Sequence, residues 1–210
     1  MNGQSRLKKT KKFIYLISPN KINDDGFFYY LKEIFKTKKI AFFQLRLKKV
    51  RSKKIIYLGK KIRKLCKKYK VKLIINDSPI LTKKIGADGC HIGQSDISLI
   101  KARQLLKNKI IGVSCHNSMK LVKKAVSFGA DYVALGAFYS SSTKKVKFKA
   151  KIDILNRVKC LTSLPVVAIG GIEFSNYKKL LLNKARFLAI SGYIWKNKKL
   201  NPLEAVKKLK

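Results

Sequence analysis

Two aspartates stand just past short apolar runs in a chain that holds few acids. Asp77 closes Lys72-Leu-Ile-Ile-Asn-Asp, and Asp96 comes shortly after Cys90-His-Ile92. The chain carries 10 Asp+Glu against 50 Lys+Arg, so an acid at the end of an apolar run calls for an explanation. Two parallel strands ending side by side would bring both carboxylates to one edge of a sheet. Paired carboxylate oxygens there suit Mg²⁺, which takes one or two carboxylates together with substrate phosphates. Other run ends carry the complementary chemistry. Gln44-Leu-Arg-Leu-Lys48 offers Arg46 and Lys48 as cations for phosphate oxygens, and Lys144 follows Ser141 and Thr143 in a polar stretch. Gly170-Gly171 and Ile190-Ser191 offer backbone N–H groups.

Taken singly, each of these has a plainer reading. Asn76-Asp77 is an ordinary turn or cap, Gly170-Gly171 an ordinary tight turn, and Lys144 one lysine among many. Their joint occurrence at successive run ends is the signal, so the elements that would position them matter. Apolar β-rich runs predict strands over 13–17, 40–44, 72–75, 89–92, 109–113, 132–135, 166–169 and 187–190. Helical spacing of apolar residues, with Ser118 and Pro79 at starts, predicts helices over 24–35, 52–69, from 79, and over 97–106, 118–128, 152–161, 174–182 and 202–209. Residues 140–150 lack an apolar period and read as a mobile loop. Gly86-Ala-Asp-Gly-Cys-His-Ile-Gly93 resembles Gly129-Ala-Asp-Tyr-Val-Ala-Leu-Gly136, and 185–192 echoes both, so similar βα units recur. Strands alternating with helices predict an α/β chain, a closed single-domain (β/α)₈ TIM barrel over 13–210 behind a basic N-terminal extension, 1–12. An open doubly wound sheet is the alternative. In a barrel the strand C-termini form one functional face, with phosphate bound near the last two strands.

The 210 residues fit one domain, and 46% hydrophobic residues predict a packed core. The formal net charge of +40 suits a solvated lysine-rich surface or steering of anionic substrates. No signature of specific nucleic-acid binding accompanies it. Cys66, Cys90, Cys115 and Cys160 lack metal-ligand spacing and read as buried free thiols in a reducing compartment. Neighbours on a strand face opposite ways, so Cys90-His91 and Cys115-His116 cannot each close on one zinc. No apolar run is long enough to span a membrane, and a cytoplasmic location is expected. The oligomeric state, a homo-oligomer included, stays open.

These stretches together resemble the thiamine-phosphate synthase family. The matching segments are 44–48, 75–77, 86–96, 111–114, 129–136 with 141–144, and 168–172, in the family's order. The resemblance implies joining of hydroxymethylpyrimidine diphosphate to a thiazole phosphate, with pyrophosphate released. It implies one Mg²⁺ on Asp77 and Asp96. Gln44, Arg46, Lys48, Asn76, Ser114 and Lys144 would bind the pyrimidine diphosphate, with Arg46, Ser114 and Lys144 acting on the leaving group. Ser141, Thr143, Gly171, Ile190 and Ser191 would bind the thiazole phosphate. No Ser-His-Asp or Cys-His arrangement is needed, and His91 and His116 read as structural. Leu47, Ser95, Cys115, Ala137, Ser140 and Ser141 depart from the family pattern, and the loss of two prolines predicts a more flexible loop. A thiazole tautomerase on the same fold would need a proton-transfer group but no diphosphate-bound metal, and keeping Asp77, Asp96, Arg46 and Lys48 argues against it. A basic binding protein would lose its ligands steeply with salt and ignore their identity.

Overall fold

A computed structural model describes residues 12–22, 24–140 and 148–210, with the side chains of residues 24 and 25 set aside. In chain order the elements are β1 (Ile14–Ile17), α1 (Asp24–Lys36), β2 (Ile40–Leu45), α2 (Ser52–Lys68), β3 (Lys72–Asn76) and α3 (Pro79–Ile85). Then come β4 (Gly89–Ile92), α4 (Leu99–Leu106), β5 (Ile110–His116), α5 (Met119–Ser127), β6 (Tyr132–Gly136) and α6 (Asp153–Leu161). The chain closes with β7 (Val166–Ile169), α7 (Tyr177–Leu182), β8 (Phe187–Ile190), α8 (Gly192–Trp195) and α9 (Pro202–Lys208). The strands pair in sequence order, all parallel, and β8 returns to β1 to close the barrel. The open-sheet alternative is thereby set aside.

The Gly-Ala-Asp repeat has a direct physical reason. Gly86 and Gly129 take positive φ, 72° and 78°, which lets the chain turn from a helix into the next strand. The alanine that follows is buried in each copy. The aspartate then fixes strand register: Asp88 accepts a hydrogen bond from the Leu73 N–H at 2.9 Å, and Asp131 accepts from the Ile111 N–H at 2.8 Å. Asp131 is further held by the Arg103 guanidinium at 2.6 Å.

Three serines start helices as N-caps. Ser78, Ser98 and Ser118 accept hydrogen bonds from the N–H groups of Leu81, Lys101 and Leu121. Pro79 follows Ser78 in the first turn of α3, where its missing N–H costs nothing.

Side-chain alternation along each strand divides the core in two. Outward residues such as Leu73, Ile75, Cys90 and Val133 pack under the helices. Inward residues fill the barrel with a plug of rings. Tyr15 and Phe42 lie 5.2 Å apart, Phe42 and Tyr132 5.9 Å, and Phe42 and Phe187 meet edge to face at 5.0 Å. All four are buried.

The structure departs from the sequence reading in four places. β5 runs on to His116 through an irregularity in its pairing with β6. α7 begins at Tyr177, after Asn176 has closed a turn by accepting from the Glu173 N–H. A short helix, α8, follows β8 and was not foreseen. The thiols of Cys66, Cys90 and Cys115 are buried and free as expected, but Cys160 is exposed. It lies off the buried stripe of α6, which Ile154, Leu155 and Val158 form. Among the described residues no helix is long and apolar enough to cross a membrane.

Candidate active site

The C-terminal ends of the strands surround a cleft of about 860 Å³. Gln44, Arg46, Lys48, Asn76, Asp77, Asp96, Ser114, Gly171, Ile190 and Ser191 all line it. Ser141, Thr143, Lys144 and most of the predicted loop 140–150 lie outside the described residues.

The two aspartates meet. The chain leaves β3 at Asp77 in a left-handed turn, φ 64°, and the Asp77 N–H donates to the His91 carbonyl across the strand gap at 2.8 Å. There the Asp77 carboxylate faces that of Asp96, whose charge bears on it. Asp96 is held by the Gly93 N–H, 2.7 Å from Oδ2. Partial burial and the neighbouring Asp96 carboxylate both raise the Asp77 pKa, and the Lys48 ammonium at 3.4 Å opposes them. Among the described residues, two carboxylates facing each other have one weak cation partner, which leaves negative charge in excess. That donor set fits a hard divalent cation. Among the described residues no third His, Cys, Asp or Glu joins the pair, so a metal would need further oxygens from ligand or water.

The cationic sector follows β2. Gln44 is buried at the end of the strand. Beyond it, the Arg46 N–H donates to Ser18 Oγ at 3.0 Å, while its guanidinium reaches Asn20 Oδ1 at 3.2 Å. This fixes the backbone and leaves the guanidinium at the cleft wall.

Across the mouth, Gly170 and Gly171 take φ 103° and 61°, conformations that L side chains rarely adopt. A Cβ on Gly171 would also overlap the Ser140 carbonyl. The glycine therefore lets the segment after β6 lie directly on the turn after β7. Ser191 starts α8, and the Trp195 indole N–H donates to the Ile17 carbonyl at 2.7 Å, which ties that helix to β1. Its position after β8 is where barrels of this kind place a phosphate.

The floor carries a polar chain that was not foreseen. Tyr15 and Tyr132 hydroxyls lie 2.8 Å apart; Tyr132 Oη is 2.9 Å from His91 Nδ1; His91 Nε2 is 2.9 Å from Ser114 Oγ. Burial lowers the His91 pKa to about 4, only partly opposed by Asp96, so the ring is neutral near pH 7. His91 thus lines the cleft and contacts a site residue, rather than serving packing alone. Strand alternation set His91 opposite Cys90 without saying which faces inward, and nothing local pointed to Ser114.

The fold and its rim define a single-domain (β/α)₈-barrel enzyme. Residues 14–194 match the family described as thiamine monophosphate synthase, and the chain belongs to that family. It is 63% identical over 203 residues to the thiamine-phosphate synthase of Pelagibacter ubique (strain HTCC1062), covering 97% of this chain and 98% of that one. It is 37% identical over 194 residues to the thiamine-phosphate synthase of Rhodospirillum centenum (strain ATCC 51521 / SW), covering 92% and 93%. In three dimensions it is similar to thiamine phosphate pyrophosphorylase from Pyrococcus furiosus, with a TM-score of 0.82, 23% identity, and coverage of 95% and 94%. That last likeness bears on the fold.

Proposed function

We propose that the chain is a thiamine-phosphate synthase, a transferase that joins hydroxymethylpyrimidine diphosphate to a thiazole phosphate and releases pyrophosphate. The observation that carries this reading is the meeting of Asp77 and Asp96 in one cleft with Lys48, Arg46 and the Gly170-Gly171 turn. Family membership and the full-length relatives support it.

In this reading the substrate's methylene carbon–oxygen bond breaks and pyrophosphate departs. Positive charge is left delocalised over the pyrimidine and its methylene carbon. The thiazole nitrogen then forms the new bond to that carbon. Arg46, Lys48 and Lys144 bind the diphosphate and meet its growing charge, an electrostatic contribution made before the bond breaks. Gln44 and Asn76 orient the pyrimidine diphosphate, and Ser114 bonds near its leaving group. Asp77 and Asp96 would hold Mg²⁺, which when bound neutralises charge on the diphosphate oxygens as a Lewis acid. Ser141, Thr143, Gly171, Ile190 and Ser191 anchor the thiazole phosphate, which fixes the attacking nitrogen over the carbon. The aromatic plug keeps bulk water from the cation from below.

Purified protein with both substrates and Mg²⁺ is expected to make thiamine phosphate. The double variant Asp77→Ala, Asp96→Ala is expected to lose most activity. Full activity in that variant, or in EDTA, would remove the metal from the reading.

A further inference from the structure

We propose that His91 is a positioning residue which, held by Tyr132, turns the Ser114 hydroxyl into a hydrogen-bond donor aimed at the anionic ligand of the cleft. This rests on the synthase reading, because the anion it invokes is the diphosphate.

The chain from Tyr15 through Tyr132 and His91 to Ser114 is unbroken, with links of 2.8, 2.9 and 2.9 Å. Each hydroxyl and the neutral imidazole has one proton to give, so the chain has two self-consistent orders. In one, Tyr132 donates to Nδ1, the ring carries its proton on Nε2, and that proton goes to Ser114 Oγ. The Ser114 proton is then free to point into the cleft. In the other, Ser114 donates to the ring and turns lone pairs toward the ligand. A diphosphate oxygen can only accept, so it selects the first order.

Tyr132 cannot swing away to relax the arrangement. A Cβ on Gly112 would overlap its ring, so only glycine leaves room for it, and it stacks on His91 with centroids 5.6 Å apart. Ser114 touches the ligand in this scheme; His91 and Tyr132 act through it.

The test is Tyr132→Phe, which deletes one oxygen and keeps the ring. A lost hydrogen bond to a charged group corresponds to about a tenfold to hundredfold fall in kcat. The KM for thiazole phosphate should stay within about twofold, since that ligand lies elsewhere. The second measurement uses the unaltered protein: ¹⁵N NMR of His91 with Mg²⁺ and inorganic pyrophosphate should find the proton on Nε2. A proton on Nδ1 would overturn the inference, as would a folded Tyr132→Phe enzyme with wild-type kcat. If the unaltered protein made no thiamine phosphate, the synthase reading would fall, and the tautomer with pyrophosphate would still decide the positioning role.

Discussion

Lys48 Nζ stands 3.4 Å from Asp77 Oδ2, and both side chains are partly exposed. A pair of this kind contributes little to stability. It leaves the mutual repulsion of Asp77 and Asp96 largely in place, and that repulsion makes the rim receptive to a cation at some cost to the fold.

Asp77→Asn tests this trade. Asparagine tolerates the left-handed backbone that residue 77 adopts at φ 64°. The substitution removes the facing like charge. Activity should fall at least tenfold, while the thermal midpoint should stay level or rise. A clear drop in the midpoint would show that Asp77 contributes to the fold through bonds other than those described.

The pH dependence follows from the same carboxylate. The Asp77 pKa is raised in the folded chain by burial and by Asp96. The folded state therefore binds more protons than the unfolded state across that range, and stability falls as pH rises through it. Mg²⁺ needs the ionised pair, so its affinity should decline on acidification at a higher pH than an ordinary carboxylate would give. Calorimetric titration with Mg²⁺ and pyrophosphate at several pH values checks this, and Asp77→Asn should flatten the profile.

Gly171→Ala should act on one substrate. The added methyl would collide with the Ser140 carbonyl and oppose φ 61°. The turn after β7 would move, and the KM for thiazole phosphate should rise about tenfold or more, while that for the pyrimidine diphosphate stays near wild type. Equal changes in both would mean that the whole rim had shifted.

Arg103→Leu is a stability prediction remote from the cleft. The Arg103 guanidinium bonds to Asp131 at 2.6 Å and to the carbonyls of Lys107, Lys109 and Gly129. Asp131 is 9% exposed and would keep a buried charge with less compensation. A loss of about 3 kcal/mol is expected in denaturant titration, with the KM of surviving enzyme unchanged.

Much of the barrel was legible because each strand is a short apolar run and each return carries a local signal, Gly-Ala-Asp or Ser at a helix start. Asp77 and Asp96 stood out because acids are so scarce. α8 was missed because it has only four residues, too few for a helical period to appear. The hydrogen-bond partners of His91 were not legible for a different reason. Its partners Tyr132 and Ser114 lie 41 and 23 residues away, and the side-by-side pairing of β4, β5 and β6 brings them to its two nitrogens. Cys160 read as buried from its apolar neighbours, but the face that α6 turns inward passes it by.

The ring-filled floor also governs traffic. With Tyr15, Phe42, Tyr132 and Phe187 packed across the barrel, the described residues leave the cleft open at the strand C-termini. A ligand seated against this floor is expected to enter before one that lies above it and to leave after it.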